Sequence, residues 1–256
     1  MVDTSVIVFL VISVLICFLI PLISFIYFVK SKNHTIKPFL IGILMFFISQ
    51  IVIRIPILTY VLPNTMWFIK MSMNPWVYGI FLGLTAGIFE EVARYIGFKY
   101  ILKNNNRYID GISYGFGHGG IEAILITGVS LFSTLIFAIM LNKGANLPEE
   151  VYTMMVSLTE TDAFLGGFER ICAITIHIGL SIIVLYSVQK RKIIYLGIAI
   201  LIHTIVNAPI VIFPAIFNIG VIGAELYIFV CALILGLLVL CSKKYFKKGE
   251  FENEKA

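Results

Sequence analysis

A chain of 256 residues that is 60% hydrophobic and only 13% charged is not an ordinary soluble domain, where about a quarter of residues carry charge. Apolar runs of about twenty residues recur along its length without strand-like alternation, which excludes an outer-membrane barrel and leaves an all-α polytopic membrane protein. The net charge of +5 comes from basic loops and reads as topology and attraction to anionic lipid, so no nucleic-acid partner is implied.

In chain order the apolar runs predict seven spans at about 4–29, 38–61, 76–98, 109–141, 164–188, 193–212 and 219–241. The first lacks a basic leader region and is too long for a signal-peptide core, so it is expected to be retained. The segment 63–75 carries Trp67 and Trp76 and reads as interfacial, with room for an eighth, short helix. The fourth run is long enough to tilt or to extend past the bilayer. Thirteen Lys and Arg residues follow spans 1, 3, 5 and 7, against Lys70 and Lys143 in the intervening loops. The positive-inside rule then puts the N-terminus outside and the C-terminus in the cytoplasm, as expected of a protein of the bacterial cytoplasmic membrane. The loop 142–163 falls outside, and the tail 249–256 is polar and expected to be loose. Cys17, Cys172, Cys231 and Cys241 lie in or at the ends of spans without metal-ligand spacing, so free thiols are expected. The chain reads as one integral membrane domain, residues 1–256, with a catalytic-type core at about 75–212; nothing in it sets an oligomeric state.

Against this apolar background the ionisable residues stand out, because intramembrane charge is costly and marks function. Span 3 holds Glu90, Glu91 and Arg94; span 4, His118 and Glu122; span 5, Glu169, Arg170 and His177; span 6, His203, followed by Asn207. Arg54 and Glu225 are expected to be partners or interface anchors, and adjacent Glu169 and Arg170 a structural ion pair. Only His34 is expected in a loop. Counted from the basic end of each span, Glu90, His118, His177 and His203 lie nine to thirteen residues deep, roughly 13–20 Å, so four helices present them in one layer. Glu90 and Arg94, His118 and Glu122, and His203 and Asn207 are each four residues apart and share a helix face. Glycines crowd His118 in "DGISYGFGHGG", which suits close helix packing or a backbone opened toward a cavity.

A carboxylate with a histidine activates water, and a second His with an Asn donates to a developing oxyanion. Glu90 is the expected base, Arg94 its counter-charge, His118 its partner, and Glu122 an orienting group for His118. No HExxH zinc helix occurs.

"EEVAR" at 90–94, His118 in "YGFGHGG" and "HTIVN" at 203–207 resemble the intramembrane glutamic proteases: the CAAX prenyl proteases with their bacteriocin-processing relatives, the PrsW proteases and a non-catalytic gamma-secretase subunit. Within that superfamily the chain looks most like the YhfC family of intramembrane metalloproteases, over roughly residues 75–210. The resemblance implies a peptidase in which Glu90 activates water, Glu91 and Arg94 support it, His118 is its partner, and His203 and Asn207 form the oxyanion site. The EExxR spacing departs from the CAAX EExxxR and matches the EExxK of PrsW, and Tyr114 stands where the CAAX FxxxH has Phe. His177 has no counterpart in the simplest motif set and is expected to support the site. The superfamily's mechanism implies no cofactor; the zinc alternative takes His118, His177, His203 and Glu90 as ligands. The expected partners are the lipid bilayer and a membrane-anchored peptide or protein, cut toward the cytoplasmic face. Two other classes fit the same residues: a proton-coupled transporter, against which the lack of an inverted repeat counts, and a non-catalytic scaffold or immunity protein.

Overall fold

The structure, a computed structural model, describes residues 1–31, 35–217 and 219–250, the last four by backbone alone. His34, Lys32 and the end of the tail lie outside the described residues, as do the side chains of Lys247 and Lys248. Every described element is helical. Seven helices are long and apolar enough to cross a membrane: α1 (Thr4–Lys30), α2 (Ile36–Asn64), α4 (Pro75–Ile101), α5 (Tyr108–Asn142), α7 (Glu160–Lys190), α8 (Ile194–Phe217) and α9, whose qualifying stretch is Val221–Phe246. Two short helices lie between them, α3 (Met66–Ser72) in the tryptophan segment and α6 (Glu149–Ser157) in the long loop. The predicted spans are all present, with ends displaced by a few residues.

Local chemistry sets the helix starts. Asn74 caps α4 by accepting from the backbone N–H groups of Trp76 and Val77, and Pro75 occupies the first turn, where its missing N–H costs nothing. Thr159 and Asp162 form a reciprocal capping box at the start of α7. Wide turns with i→i+5 hydrogen bonding interrupt three spans, at Phe47–Arg54 and Ile57–Val61 in α2, Gly97–Ile101 in α4 and Ala123–Gly128 in α5. Such turns rotate the side chains beyond them relative to a regular helix and are frequent at functional sites.

The central helix is α7: 61% of its most apolar stretch is buried, against 39% or less in every other span. The remaining spans surround it and turn leucine, isoleucine and phenylalanine outward, as a lipid-facing surface requires. Helix α6 closes the end of the bundle poor in Lys and Arg, where Met155 is buried among Val2 just before α1, Val6 and Leu10 of α1, and Leu135 and Ala138 of α5. The long loop is thus partly a packed helix. Trp67 and Trp76 are half exposed at the same end. All four cysteines are free.

Glycines decide how closely the helices carrying the polar residues approach. A Cβ at Gly83 of α4 would lie 2.9 Å from the Thr204 carbonyl of α8, and one at Gly87 2.8 Å from the Ile200 carbonyl. A Cβ at Gly115 of α5 would lie 2.5 Å from the Cα of Ile178 on α7. The glycines around His118 therefore serve close packing, and the helix there stays continuous through Glu122.

Candidate active site

The close α4–α8 approach sets His203 beside Glu91. Gly87 allows it: a Cβ there would also meet the Cβ of His203 at 3.4 Å. The Nδ1 of His203 lies 2.7 Å from Glu91 Oε1, and Arg94 Nη1 donates to both Glu91 oxygens at 3.0 and 2.8 Å. Since a carboxylate only accepts, His203 carries its proton on Nδ1 and turns Nε2 into the site, 3.8 Å from Glu90 Oε1. Glu91 and Arg94 are fully buried, their charges paired through the Arg94 Nη1 hydrogen bonds.

Glu90 faces α5. Its Oε2 lies 2.9 Å from His118 Nε2, with the ring held edge-on to Phe46. His177 of α7 stacks near His118, ring centroids 4.6 Å apart, and its Nε2 lies 2.6 Å from Glu122 Oε2. The opposite ring nitrogen, Nδ1, accepts from Arg94 Nη2 at 3.1 Å. Arg94 thus bridges two helices and fixes two histidines, His203 through Glu91 and His177 directly. Arg170 donates to Glu122 at 3.1 Å and pairs with Glu169.

The residues of the sequence reading converge, with two partnerships exchanged. Arg94 pairs with Glu91, three residues away, and not with Glu90. Glu122 orients His177 and not His118. Asn207 lines the same cavity one turn beyond His203, with no hydrogen bond to its amide among the described residues. Tyr114 lies one turn before His118, fully buried, its ring 4.5 Å from that of Phe98. Glu225 has a buried carboxylate oxygen with no hydrogen-bond partner among the described residues and does not line the cavity.

A partly open cavity of about 340 Å³ reaches this cluster. Its lining has a direction. On α4 it comprises Leu82, Gly83, Ala86 and Glu90, on α5 Glu122 and Ile126, and on α8 His203, Val206, Asn207, Ile210 and Val211. Each helix contributes residues at the histidine layer or toward the end poor in Lys and Arg. On the lysine-rich side Phe98, Leu102, Tyr114 and Leu185 close the bundle. The site therefore opens away from the basic loops, the reverse of the side suggested by sequence depth.

The donor set suits a divalent cation. Glu90, His118, Glu122 and His177 each offer an atom within 4.8 Å of the others, and borderline-soft zinc takes mixed imidazole and carboxylate ligands. The two carboxylates fit without rearrangement, whereas His118 gives its Nε2 proton to Glu90 and would ligate through Nε2 only in the other tautomer. His177 accepts from Arg94 at Nδ1, so its ring proton sits on Nε2, facing Glu122, and ligation through Nε2 needs the other tautomer.

Comparison with known proteins agrees with the geometry. A family model described as YhfC intramembrane metalloprotease matches residues 16–235. The uncharacterized membrane protein YhfC of Bacillus subtilis (strain 168) is 36% identical over 224 residues, covering 83% of this chain and 87% of that one. No solved structure matches. A match over most of the chain, with the buried Glu–His–Arg cluster inside it, makes the chain a member of the YhfC family of membrane proteins.

Proposed function

We propose that the chain is an intramembrane peptidase that hydrolyses a peptide bond of a membrane-anchored peptide or protein. The observation that carries this reading is Glu90: a buried carboxylate at the floor of a cavity, bonded to His118 and facing the Nε2 of His203 across 3.8 Å. That separation exceeds a direct hydrogen bond and suits a water touching both groups.

The chemistry then runs through the chain's own residues. A water held by Glu90 Oε1 and His203 Nε2 attacks the scissile carbonyl carbon and passes one proton to Glu90. Asn207 Nδ2, one turn from His203 on the cavity wall, donates to the oxyanion. Glu90 returns the proton to the leaving nitrogen, the C–N bond breaks, and the new carboxylic acid gives its proton to His203 Nε2. Glu91 keeps His203 in the required tautomer, as a buried carboxylate does for a catalytic imidazole elsewhere. This gives His203 the role of proton acceptor and leaves the oxyanion to Asn207 alone. A cation held by Glu90, His118 and Glu122 would supply Lewis acidity to the water or the carbonyl.

We further propose that the basic loops face the cytoplasm, which opens the cavity toward the outer half of the membrane. The family's description as a metalloprotease and the cation-compatible donor set support the peptidase class over a transporter or a scaffold.

The test uses purified full-length protein in lipid nanodiscs with a pool of membrane-spanning peptides and mass-spectrometric readout. Wild type is expected to release fragments, and Glu90→Gln to lose at least about a hundredfold in rate while keeping its fold, since proton transfer by a positioned base contributes on that order. Equal fragment release by both proteins would overturn the assignment.

A further inference from the structure

Two arginines line the cavity, and they differ in one respect. Arg170 is bonded to Glu122 and Glu169. Arg54 has no carboxylate partner among the described residues: Nε donates to Thr85 Oγ1 at 3.2 Å, Nη1 to Gln50 Oε1 at 3.0 Å and Nη2 to the Leu82 carbonyl at 2.8 Å. Three of the five guanidinium N–H groups are thereby used, leaving one on each terminal nitrogen for a further acceptor such as a carboxylate. Gln50 adds a second observation. It is 3% exposed, it lines the cavity, and its Nε2 is buried with no hydrogen-bond partner.

The wide turns at Phe47–Arg54 put both residues on the cavity side of α2. A full cation and an unpaired amide N–H₂ converge there, with their own acceptors already engaged. The cavity's three carboxylates do not supply what is missing, because Glu90 is bonded to His118, Glu122 to Arg170 and Glu169 to Arg170. A half-buried cation that keeps two N–H groups free beside a third donor is a poor structural brace and a good anion receptor.

We propose that Arg54 and Gln50 form a carboxylate-binding subsite, so that the substrate carries an acidic side chain or a free C-terminal carboxylate near the hydrolysed bond. Leu82 and Thr85, which anchor Arg54, precede Glu90 by eight and five residues on α4, or about 7–12 Å along the helix. An extended peptide covers that distance in about two to four residues. The carboxylate therefore sits two to four residues from the cut, on the side toward the end poor in Lys and Arg. This rests on the peptidase reading of Glu90.

The experiment compares matched quenched-fluorescent membrane peptides with the full-length protein in nanodiscs. One pair carries Asp or Asn three residues from the cut; a second ends there in a free carboxylate or a carboxamide. Wild type is expected to cut one acidic member at least about tenfold faster than its neutral mate, since a site built to bond a charged group rejects the analogue lacking it. The pair that discriminates identifies the source of the carboxylate. Arg54→Gln brings the two rates within about twofold, and Arg54→Lys keeps part of the ratio because the charge remains. A ratio near one in wild type, or an unchanged ratio in Arg54→Gln, overturns the subsite; loss of a mere brace would slow both peptides alike. Binding of the same peptides, fluorescently labelled, to Glu90→Gln protein separates the two claims. If wild type cuts nothing beyond Glu90→Gln, the peptidase reading fails. The subsite still stands if the acidic peptide binds at least about tenfold tighter than its mate and Arg54→Gln removes the difference, and it falls otherwise.

Discussion

At the residue scale, Arg94 is the group on which most others depend. It holds both oxygens of Glu91 and the Nδ1 of His177, and through Glu91 it fixes His203. Removing one partner of a fully buried ion pair strands the other, at a cost of about 3–5 kcal/mol. Arg94→Met is therefore expected to lower the thermal stability of the detergent-purified protein steeply, and adding Glu91→Gln to recover part of the loss. Additive losses in the two variants would show that the pair is uncoupled. The pairing itself was hard to read. The sequence puts Arg94 four residues from Glu90 and three from Glu91, both compatible with one helix face, and only the position of His203 on a neighbouring helix selects Glu91. Glu122 teaches the same lesson: four residues from His118 on its own helix, it turns across to His177 at 2.6 Å. Periodicity predicts neighbours along a helix, whereas contacts between helices depend on rotations that single-sequence periodicity does not encode.

Donor identity also belongs to this scale. Spacing within each helix gave no zinc pattern, yet packing gathers two imidazoles and two carboxylates within 4.8 Å. A stoichiometric divalent cation such as zinc is expected to raise the unfolding temperature of wild type and to leave Glu90→Gln/His118→Ala unmoved, because only a ligand that binds the folded site stabilises it. An equal response in both proteins would place the ion elsewhere.

At the scale of elements, the α4–α8 contact decides whether the site exists. Gly87 has the Ile200 carbonyl 2.8 Å from where its Cβ would be, backbone that cannot swing aside. Gly87→Val is expected to push the helices apart, to lengthen the 2.7 Å Glu91–His203 bond and to abolish cleavage. Gly197, on the same helix α8, has nothing within 4 Å, and Gly197→Ala is expected to be neutral or to add up to about 1 kcal/mol. Unfolding temperatures and cleavage rates of the pair check this; equal behaviour would mean that close approach is not what positions the histidines. The spans were legible because a twenty-residue apolar run has few other uses in a chain of this length. The short helix α6 was not, since its nine residues carry acidic groups and a mixed pattern, and their anchor, Met155, is buried in part by Val2, Val6 and Leu10, more than a hundred positions away.

At the scale of the molecule, the bundle is a one-ended vessel: closed by Tyr114, Phe98 and Leu102 on the lysine-rich side, open on the other. Equal depth of the polar residues was readable from the sequence, but depth alone does not say which half of the membrane leads to them. That depends on which side chains fill the space on either side of the layer. In a cysteine-free background, Ile126→Cys and Val211→Cys are expected to react with a membrane-impermeant maleimide added from outside the cell, and Leu185→Cys to stay unreactive. Labelling of Leu185→Cys alone would reverse the direction of access.

The central claim is that the buried Glu90 cluster cuts membrane proteins, and its most direct test is in cells. Membrane proteomes of cells producing wild type or Glu90→Gln at matched levels are compared by N-terminal peptide mapping. New N-termini in or beside membrane spans, present with wild type and missing with Glu90→Gln, are the predicted result. Identical sets of N-termini across several growth conditions, with both proteins folded and inserted, would contradict the account.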